Sequence, residues 1–481
     1  MNKNLKKTKI IATLGPASSS KETMIQMIQA GVDVFRINFS HADYELVLKN
    51  VNIIREINKE YGYSVSILGD LQGPKLRVGV VKEGSFLNPG DILTFTNEKM
   101  EGDATKVYMT YEKFPQDVKV GERILIDDGK LVFEVIETNN VDIVRAKTIQ
   151  GGPLSSKKGV NLPNTEVSLP ALTEKDIEDA NFMLDNEFDW IALSFVRHAQ
   201  DIIDLKDLMA KHPNNKQKTP IIAKIEKPEG VKNIDQILIE CDCLMVARGD
   251  LGVEVPMEQV PVIQKNLVNK ARLYAKPVII ATQMMETMIT SLTPTRAEVN
   301  DVANSVLDGA DAVMLSGETS VGKYPVDVIR NMAKIVKNIE KTALYEKLNH
   351  VIEEKINCVD ERFITDKICR SAVDVAKSTG AEAIVTLTSS GYTAFQISAH
   401  RPSSHIIVFS NNKRVITMLN LLWGVRAFHY DMEKSTDETV IQVNMLTHNY
   451  GFVEQGDFVI NLNAMPVHNG GKTNTLRLST I

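Results

Sequence analysis

Short runs of apolar and β-branched residues recur along the chain, and polar or glycine-containing residues end each run. Most of the runs are followed by a stretch with helical periodicity. Short buried strands that alternate with helices are typical of a parallel sheet. Because there are eight such units, we predict a closed (β/α)8 barrel. The eight runs are Lys9–Leu14, Val32–Asn38, Ser64–Asp70, Trp190–Phe195, Pro220–Glu226, Leu244–Arg248, Pro277–Thr282 and Ala312–Leu315.

The segments between the runs carry signals for helix ends. Ser20 is suited to cap a helix that stops at Gly31. Thr173 followed by Asp176 resembles a capping box in which Asp replaces Glu or Gln. These signals support helices between the predicted barrel strands.

Residues 71–168 differ in character from the rest and separate the third run from the fourth. Turn-forming pairs are interleaved there with alternating apolar runs, which predicts a small all-β domain inserted into a barrel loop. Such an insert is a candidate lid if its loop lies at the catalytic face. The turn pairs are Gly90-Asp91, Gly121-Glu122 and Asp128-Gly129, and the runs include Arg123–Ile126 and Leu131–Ile136.

A helical stretch from about Pro325 to Leu348 follows the last barrel run, and the polar segment Glu353–Glu361 is predicted to be a linker. A third region then alternates helices and strands, which predicts a separate open α/β domain. We therefore divide the chain into a barrel (1–70 and 169–345), a lid (71–168) and a C-terminal α/β regulatory domain (346–481). The predicted C-terminal elements are helices at Ile364–Ser378 and from Thr393, and strands Ala383–Leu387, Ile406–Phe409 and Phe458–Leu462.

Composition excludes several classes of protein. The 481 residues carry a net charge of −6, so no global field favours nucleic acid or anionic lipid. No apolar run is long enough for a transmembrane helix or a secretory signal, and we expect a cytoplasmic protein. The four cysteines have no framework spacing and are expected to be reduced; Cys241 and Cys243 are expected to face the core rather than a metal.

Charged residues are concentrated where the predicted strands end, which is where barrel enzymes carry their catalytic groups. Lys224 and Glu226 alternate on one strand and therefore face the same side. Glu226 with Asp250 on the next strand forms a hard oxygen pair suited to Mg2+. Lys224 could neutralise charge on a transferring group beside the metal. The alternative is a structural ion pair at the barrel rim.

Three further segments carry candidate binding groups. Arg36 begins a stretch of alternating polar residues, and its planar fork suits phosphate, although a rim salt bridge is the alternative. Ala247–Gly252 is a glycine-flanked turn that opens a helix and could approach an anion closely, or could simply be a tight turn. Arg77 lies where the insert leaves the barrel and could reach a second phosphate or line a hinge. His41 alone does not indicate a binding site, because a histidine with a purely structural role is more common.

No Walker phosphate-binding loop and no protein-kinase signature occurs. Taken together, the motifs closely resemble the pyruvate kinase family, in the family's order and over most of the chain. The matching stretches are Thr8–Ser18, Arg36–His41, Asp70–Arg77, Lys157–Pro163, Ile222–Gly230, Ala247–Gly252, Ala281–Met284 and Met314–Thr319.

The resemblance implies a role for each candidate residue in phosphoryl transfer between phosphoenolpyruvate and ADP. By this resemblance, Arg36 and Lys224 hold the phosphoryl group, with Lys224 stabilising the transition state. Mg2+ (or Mn2+) is implied as the cofactor and a homotetramer as the assembly. The implied metal ligands are Glu226 and Asp250; the substrate carboxylate site is Thr282 with the backbone of Gly249 and Asp250; the nucleotide-phosphate contacts are Asn38, Ser40, His41, Arg77 and Lys158.

One departure from the family concerns the monovalent cation. Many members have Thr-Lys after the Asp at position 70 and Glu at position 75, and they use K+ held by side chains such as Asn38, Ser40 and Asp70. This chain has Leu71-Gln72 and Lys75 instead. The ammonium of Lys75 could occupy that cation site, so we expect activity without K+.

The C-terminal region resembles the family's effector domain. Its hydroxyl-rich turn at a helix N-terminus could bind a phosphate or could simply cap the helix. The loop Ala464–Lys472 lacks the Trp-Arg expected for fructose 1,6-bisphosphate, so a sugar or nucleoside monophosphate is the better hypothesis for the effector. The candidate effector-phosphate residues are Thr388, Ser389, Ser390 and Thr393.

Two other functions remain as alternatives at this stage. A Mg2+-dependent lyase or aldolase on a related barrel would share the Glu/Asp metal pair but needs neither the β insert nor Lys158. A non-catalytic binding or regulatory protein that kept the fold is the third reading, and the full set of catalytic side chains argues against it.

Overall fold

Eight parallel strands close into a barrel, which confirms the predicted fold. The structure is a computed structural model and describes residues 5–215, 218–349, 362–431, 436–465 and 472–481. Each strand pairs in parallel with its neighbours, and the eighth returns to the first through the pair Lys9 and Ala312. The barrel strands are Lys9–Thr13, Val34–Asn38, Ser66–Asp70, Trp190–Leu193, Ile221–Ile225, Cys243–Ala247, Val278–Ala281 and Ala312–Leu315.

The barrel interior is filled by apolar side chains rather than being hollow. Ile11, Leu68, Ile222 and Met245 belong to one fully buried cluster inside the ring of strands. A larger cluster lies between the strands and the surrounding helices. Strands buried on both faces have continuous apolar sequences. For this reason the barrel strands are predicted from apolar runs and not from an alternation of apolar and polar residues.

Helices follow the barrel strands and end where the sequence signals them. The Ser20 side chain accepts a hydrogen bond from the Thr23 N–H, and Gly31 ends that helix at φ 128°. Thr173 and Asp176 form the predicted capping box. The helices outside the strands are Lys21–Ala30, Tyr44–Tyr61, Glu174–Asp185, Ala199–Ala210, Pro228–Lys232, Ile234–Glu240, Arg248–Glu254, Val260–Leu273, Arg296–Leu307, Gly317–Ser320 and Pro325–Glu340, with 3-10 turns at Phe39–His41, Met257–Gln259 and Glu286–Ile289.

The helical stretch predicted from Pro325 to Leu348 is two helices, Pro325–Glu340 and Ala343–Asn349. The Thr342 hydroxyl accepts a hydrogen bond from the Tyr345 N–H at 3.3 Å, as a capping residue does at the start of a new helix. The predicted linker Glu353–Glu361 lies outside the described residues.

The insert is a β domain, as predicted, with its own core. Phe95 packs edge-on against Phe114 and Phe133 at the centre of that core. A short helix, Phe114–Asp117, covers one side. The strands form a pair, Phe86–Leu87 with Gly152–Pro153, and a six-stranded sheet in the order Val160–Asn161, Arg123–Ile126, Leu131–Thr138, Ile143–Gln150, Ile92–Thr96 and Lys106–Tyr108.

The C-terminal region is a five-stranded sheet with helices, which confirms an open α/β domain. Two of its strands, Val425–His429 and Thr475–Thr480, were not predicted. Neither contains a run of buried apolar residues, because both lie at the edges of the sheet. The sheet order is Val425–His429, His405–Ser410, Ala383–Leu387, Phe458–Asn463 and Thr475–Thr480, and the helices are Phe363–Thr379, Tyr392–Ala399, Lys413–Leu419 and Thr436–Asn449.

The C-terminal sheet domain docks against the amino ends of the barrel strands. Arg401 makes a two-pronged ion pair with Asp311, with Nη1–Oδ1 at 3.0 Å and Nη2–Oδ2 at 2.7 Å. The Trp190 indole N–H donates to the Met418 carbonyl at 3.0 Å. The C-terminal α/β domain therefore lies at the end of the barrel opposite to the charged strand ends. The residue boundaries of the three domains stay a prediction.

Two expectations from composition can be compared with the described residues. Cys241, Cys243 and Cys369 are free and buried, in agreement with reduced cysteines in a packed core. Among these residues no helix has both the length and the apolar character needed to span a bilayer.

Candidate active site

Asp70 joins the two candidate phosphoryl-binding cations at the mouth of the barrel. Its Oδ2 accepts hydrogen bonds from Arg36 Nε at 2.7 Å and lies 2.6 Å from Arg36 Nη2. Its Oδ1 lies 3.1 Å from Lys224 Nζ. Arg36 lies on the second barrel strand and Lys224 on the fifth. The barrel geometry therefore brings together residues that are far apart in sequence.

Burial and neighbouring charges shift the pKa values of Asp70 and Lys224 in opposite directions. Burial alone would raise the pKa of Asp70, but Lys224 and Arg36 outweigh it and hold that pKa below its ordinary 3.8. Burial alone would likewise lower the pKa of Lys224, but Asp70 and Glu226 raise it above its ordinary 10.5. Asp70 is therefore a carboxylate and Lys224 an ammonium at neutral pH.

Glu226 lies beside Lys224, as the alternation on the strand predicts. Its Oε1 is 3.1 Å from Lys224 Nζ, and its Oε2 accepts the Phe195 N–H at 2.7 Å. Burial raises the pKa of Glu226 to about 7, and the charge of Asp250 adds to that rise while Lys224 opposes it. A carboxylate with a raised pKa gains from a nearby cation, which would stabilise its charged form.

Asp250 occupies the first turn of the helix Arg248–Glu254, directly after the sixth strand. Its charge acts on both Glu226 and Lys224. The described residues contain no group of three or more His, Cys, Asp or Glu side chains placed to hold a metal. The two carboxylates of Glu226 and Asp250 nevertheless fit Mg2+, which is held by one or two carboxylates and fills its other positions with water and substrate oxygens.

Thr282 lies directly after the seventh strand at φ 71°, a strained conformation for a β-branched residue. Its hydroxyl accepts the Gly249 N–H at 2.7 Å and donates to the Ala281 carbonyl. The structure thus brings together Thr282 and Gly249, two residues of the candidate carboxylate site. Strained residues that the fold holds in place cluster at functional sites.

The candidate nucleotide residues lie partly on the barrel and partly on the lid. Asn38 ends the second strand, and its side chain accepts the Ser40 N–H at 3.1 Å. His41 ends the following 3-10 turn, and its side chain lies outside what the structure describes. Lys158 pairs with Asp127 at 2.9 Å, and Arg77 Nη1 donates to the Lys157 carbonyl at 3.0 Å. Both lid residues are held by lid partners rather than by the barrel residues.

Lys75 is exposed and lines a cleft between lid and barrel, together with Asp250 and Lys227. In the ranges that the structure describes, its ammonium has no ion pair with Asp70. The Asp70 carboxylate is occupied by Arg36 and Lys224 instead. The structure therefore does not bring Lys75 together with the other candidate residues of the monovalent-cation site.

The four candidate effector residues lie on the loop before the helix Tyr392–Ala399 and in its first turn. The Thr388 hydroxyl accepts the Gly391 N–H at 2.8 Å, and the Thr393 hydroxyl pairs with that of Thr473 at 2.8 Å. Ser389 and Ser390 are exposed. The loop is thus partly used for capping, and its two serines face solvent.

Sequence reasoning missed two supporting residues at the barrel mouth. Ser194 accepts a hydrogen bond from Lys224 Nζ at 2.6 Å and donates to the Leu71 carbonyl at 2.7 Å. The Thr13 hydroxyl accepts from Arg36 Nη1 at 3.0 Å. Both residues lie near strand ends, and this position is the sequence feature that could have identified them as part of the site.

Two other charged strand ends have supporting roles. Arg248 forms a two-pronged ion pair with Asp301, with distances of 2.6 and 2.7 Å. Glu318 accepts the backbone N–H groups of Met285 at 3.2 Å and Ser316 at 2.7 Å. These two residues hold the strand-end loops in place, so not every charge at the mouth is a candidate for chemistry.

Comparisons with known proteins agree with this geometry. The family model "Pyruvate kinase, barrel domain" matches residues 5–329, and "Pyruvate kinase, alpha/beta domain" matches residues 366–479. The chain belongs to the pyruvate kinase family. Pyruvate kinase from Corynebacterium glutamicum is 40% identical over 474 residues, covering 98% of this chain and 97% of that protein. Pyruvate kinase 2 of Synechocystis sp. is 44% identical over 460 residues, covering 95% and 76% respectively.

A solved structure extends the agreement to three dimensions. The crystal structure of a pyruvate kinase from Cryptosporidium parvum superposes with a TM-score of 0.92 at 35% identity, over 99% of this chain and 96% of that one. The protein is therefore a phosphotransferase enzyme on a barrel fold, as the motifs predict. The comparisons give no support to a lyase, an aldolase or a non-catalytic binding protein.

Proposed function

We propose that the chain transfers the phosphoryl group of phosphoenolpyruvate to ADP and releases pyruvate and ATP, the last step of glycolysis. The observation that carries the proposal is the joint Asp70 contact with Arg36 and Lys224, immediately beside Glu226. Two cations fixed at one mouth next to a carboxylate suit a migrating phosphoryl group, for which positioning and charge stabilisation supply most of the acceleration.

Each group has a part in this reaction. Arg36 and Lys224 bind the phosphoryl oxygens, and Lys224 stabilises the charge that spreads over them during transfer. Glu226 and Asp250 would hold Mg2+ (or Mn2+), which when bound supplies positive charge to the phosphoryl and substrate oxygens. Asp70 keeps both cations in place and does not itself touch the substrate.

The substrate carboxylate is assigned to Thr282 with the backbone of Gly249 and Asp250. The Gly249 N–H already points at the Thr282 hydroxyl, at 2.7 Å. A bound carboxylate would take over that N–H, since a charged acceptor forms the stronger hydrogen bond. Substrate binding would then release the Thr282 hydroxyl to face the enolate.

The nucleotide phosphates are assigned to Asn38, Ser40, His41, Arg77 and Lys158. Lys158 and Arg77 belong to the lid domain, so they would reach the nucleotide as the lid closes. Lys158 would exchange Asp127 for phosphate. The Lys158 side chain is 39% exposed in its ion pair with Asp127. Exposed ion pairs contribute little to the free energy of the fold, so breaking this one costs little.

We further infer that the enzyme needs no K+ and that a phosphorylated metabolite activates it. Lys75 lines the same cleft as Asp250, so its ammonium supplies a positive charge at the rim of the site. For the effector, Ser389 and Ser390 are exposed at the start of a helix, where hydroxyl and N–H groups suit a phosphate. We also propose that the enzyme is located in the cytoplasm and assembles as a homotetramer.

The test of the reaction is a lactate-dehydrogenase-coupled assay with phosphoenolpyruvate and ADP, in which Mg2+ and K+ are varied independently. We expect NADH oxidation that requires both substrates and Mg2+. Lys224→Met should lower kcat by about 1000-fold because it removes the transition-state cation. The exposed Lys232→Met variant is the control. Absence of ADP-dependent pyruvate formation in the unmodified protein would overturn the proposal.

A further inference from the structure

Glu254 is a buried carboxylate at the cleft between lid and barrel that the reaction does not use. Its side chain is 0% exposed, yet its Oε1 accepts two hydrogen bonds while its Oε2 has no partner. The donors are Lys227 Nζ at 2.6 Å and Asn161 Nδ2 at 2.7 Å. A buried charge is costly unless it is paired, so this carboxylate holds both donors strongly.

The two barrel residues of this contact belong to the elements that carry the proposed metal ligands. Lys227 directly follows Glu226. Glu254 lies four residues after Asp250 on the same helix, a spacing that places the two side chains on one face. The ion pair between Lys227 and Glu254 therefore joins the element that carries Glu226 to the helix that carries Asp250.

Glu254 also determines where the Lys227 ammonium lies. Lys227 lines the same cleft as Asp250. In the part of the chain that the structure describes, Lys227 pairs with Glu254 and not with Asp250. An ammonium beside Asp250 would compete with a divalent cation for that carboxylate. Glu254 thus keeps Asp250 available.

The third partner, Asn161, comes from the lid. It lies on the edge strand Val160–Asn161, close in sequence to the proposed nucleotide contact Lys158. Arg197 of the barrel also donates to the Val167 and Leu169 carbonyls, where the lid returns to the barrel. Asn161 therefore gives the lid a direct contact with the carboxylate that arranges the metal ligands.

We propose that Glu254 is a positioning residue that keeps Asp250 free for the divalent cation, and that the lid reaches it through Asn161, so that this lid contact and metal binding favour each other. The inference rests on the metal site proposed above. By linkage, if the Asn161–Glu254 contact raises the metal affinity by some factor, bound metal stabilises that contact by the same factor.

The first test measures Mn2+ binding by electron paramagnetic resonance without substrates, so that turnover plays no part. Glu254→Gln should weaken binding about tenfold, because it releases the Lys227 ammonium toward Asp250. The double variant Glu254→Gln/Lys227→Met should restore binding, since it removes the competing charge. Unchanged binding in Glu254→Gln, or no recovery in the double variant, would overturn the positioning role.

The second test addresses the lid. Asn161→Ala should weaken Mn2+ binding about fivefold, the value of one lost hydrogen bond. Asn164→Ala, at an exposed position nearby on the same lid segment, is the matched control and should bind as the unmodified protein does. In hydrogen exchange, Mg2+ should slow the Val160–Asn161 strand in the unmodified chain but not in Asn161→Ala. Equal protection in both would refute the coupling.

A failure of the metal site itself gives a different result. If Glu226→Gln and Asp250→Asn bind Mn2+ as tightly as the unmodified protein, the proposed ligands are wrong and this inference falls with them. If those two variants lose Mn2+ but Glu254→Gln and Asn161→Ala do not, the metal site stands and the positioning role alone is overturned.

Discussion

The Asp70 carboxylate and the Lys224 ammonium lie 3.1 Å apart in the barrel mouth, and the same carboxylate also binds Arg36. One buried anion therefore fixes the two cations that are proposed to grip the phosphoryl group. By family resemblance Asp70 also belongs to a monovalent-cation site, and that assignment stays a prediction.

Replacing Asp70 with Asn should lower both the turnover and the stability of the enzyme. The amide keeps the volume but has only one acceptor oxygen, so one of the two cations loses its carboxylate partner. We expect kcat to fall about 100-fold and the free energy of unfolding to fall by about 3 kcal/mol, as for a buried pair that loses one partner. Coupled assays and urea unfolding measure the two effects. Asp207→Asn, an exposed substitution of the same kind, should change neither.

The barrel and its charged mouth were predictable because strand periodicity and strand ends are local signals. Lys224 lies on the fifth strand and Glu226 directly follows that strand, two positions later. This spacing places both side chains on the same side, with Lys224 Nζ 3.1 Å from Glu226 Oε1. The contact between Asn161 and Glu254 was not predictable, because it depends on how the lid sits on the barrel. The edge strand Thr475–Thr480 was missed for a related reason: it lacks a continuous buried run.

The Lys75 substitution tests the proposed independence of K+. Lys75→Glu replaces the ammonium with a carboxylate that can attract a monovalent cation. Activity without K+ should therefore fall about 100-fold and recover as K+ is added. Assays in Tris buffer with K+ varied at constant ionic strength measure this. Lys82→Glu makes the same charge change at an exposed lid position and should leave the enzyme indifferent to K+. Near-complete loss of turnover in the unmodified enzyme without K+ would refute the expectation.

The effector loop is tested by activation across a panel of sugar phosphates and nucleoside monophosphates. We expect at least one to lower the apparent KM for phosphoenolpyruvate. Ser389→Asp and Ser390→Asp place a carboxylate on the exposed hydroxyl positions and should abolish that response by repelling the phosphate, while basal activity persists. Asn449→Asp adds the same charge elsewhere in the C-terminal region and should respond normally. No response to any member of the panel would remove the proposal.

The Arg401–Asp311 pair should carry much of the docking between the C-terminal sheet domain and the barrel. Both side chains are almost fully buried, with 1% and 3% exposed, so Arg401→Met leaves Asp311 as an unpaired buried charge. We expect a loss of about 3–5 kcal/mol in unfolding free energy. The exposed pair Arg330–Asp327 is the contrast, and Arg330→Met should cost less than about 1 kcal/mol. Chemical denaturation followed by tryptophan fluorescence measures both. Equal small losses would mean that apolar contacts such as those of Trp423, rather than the ion pair, hold the two parts together.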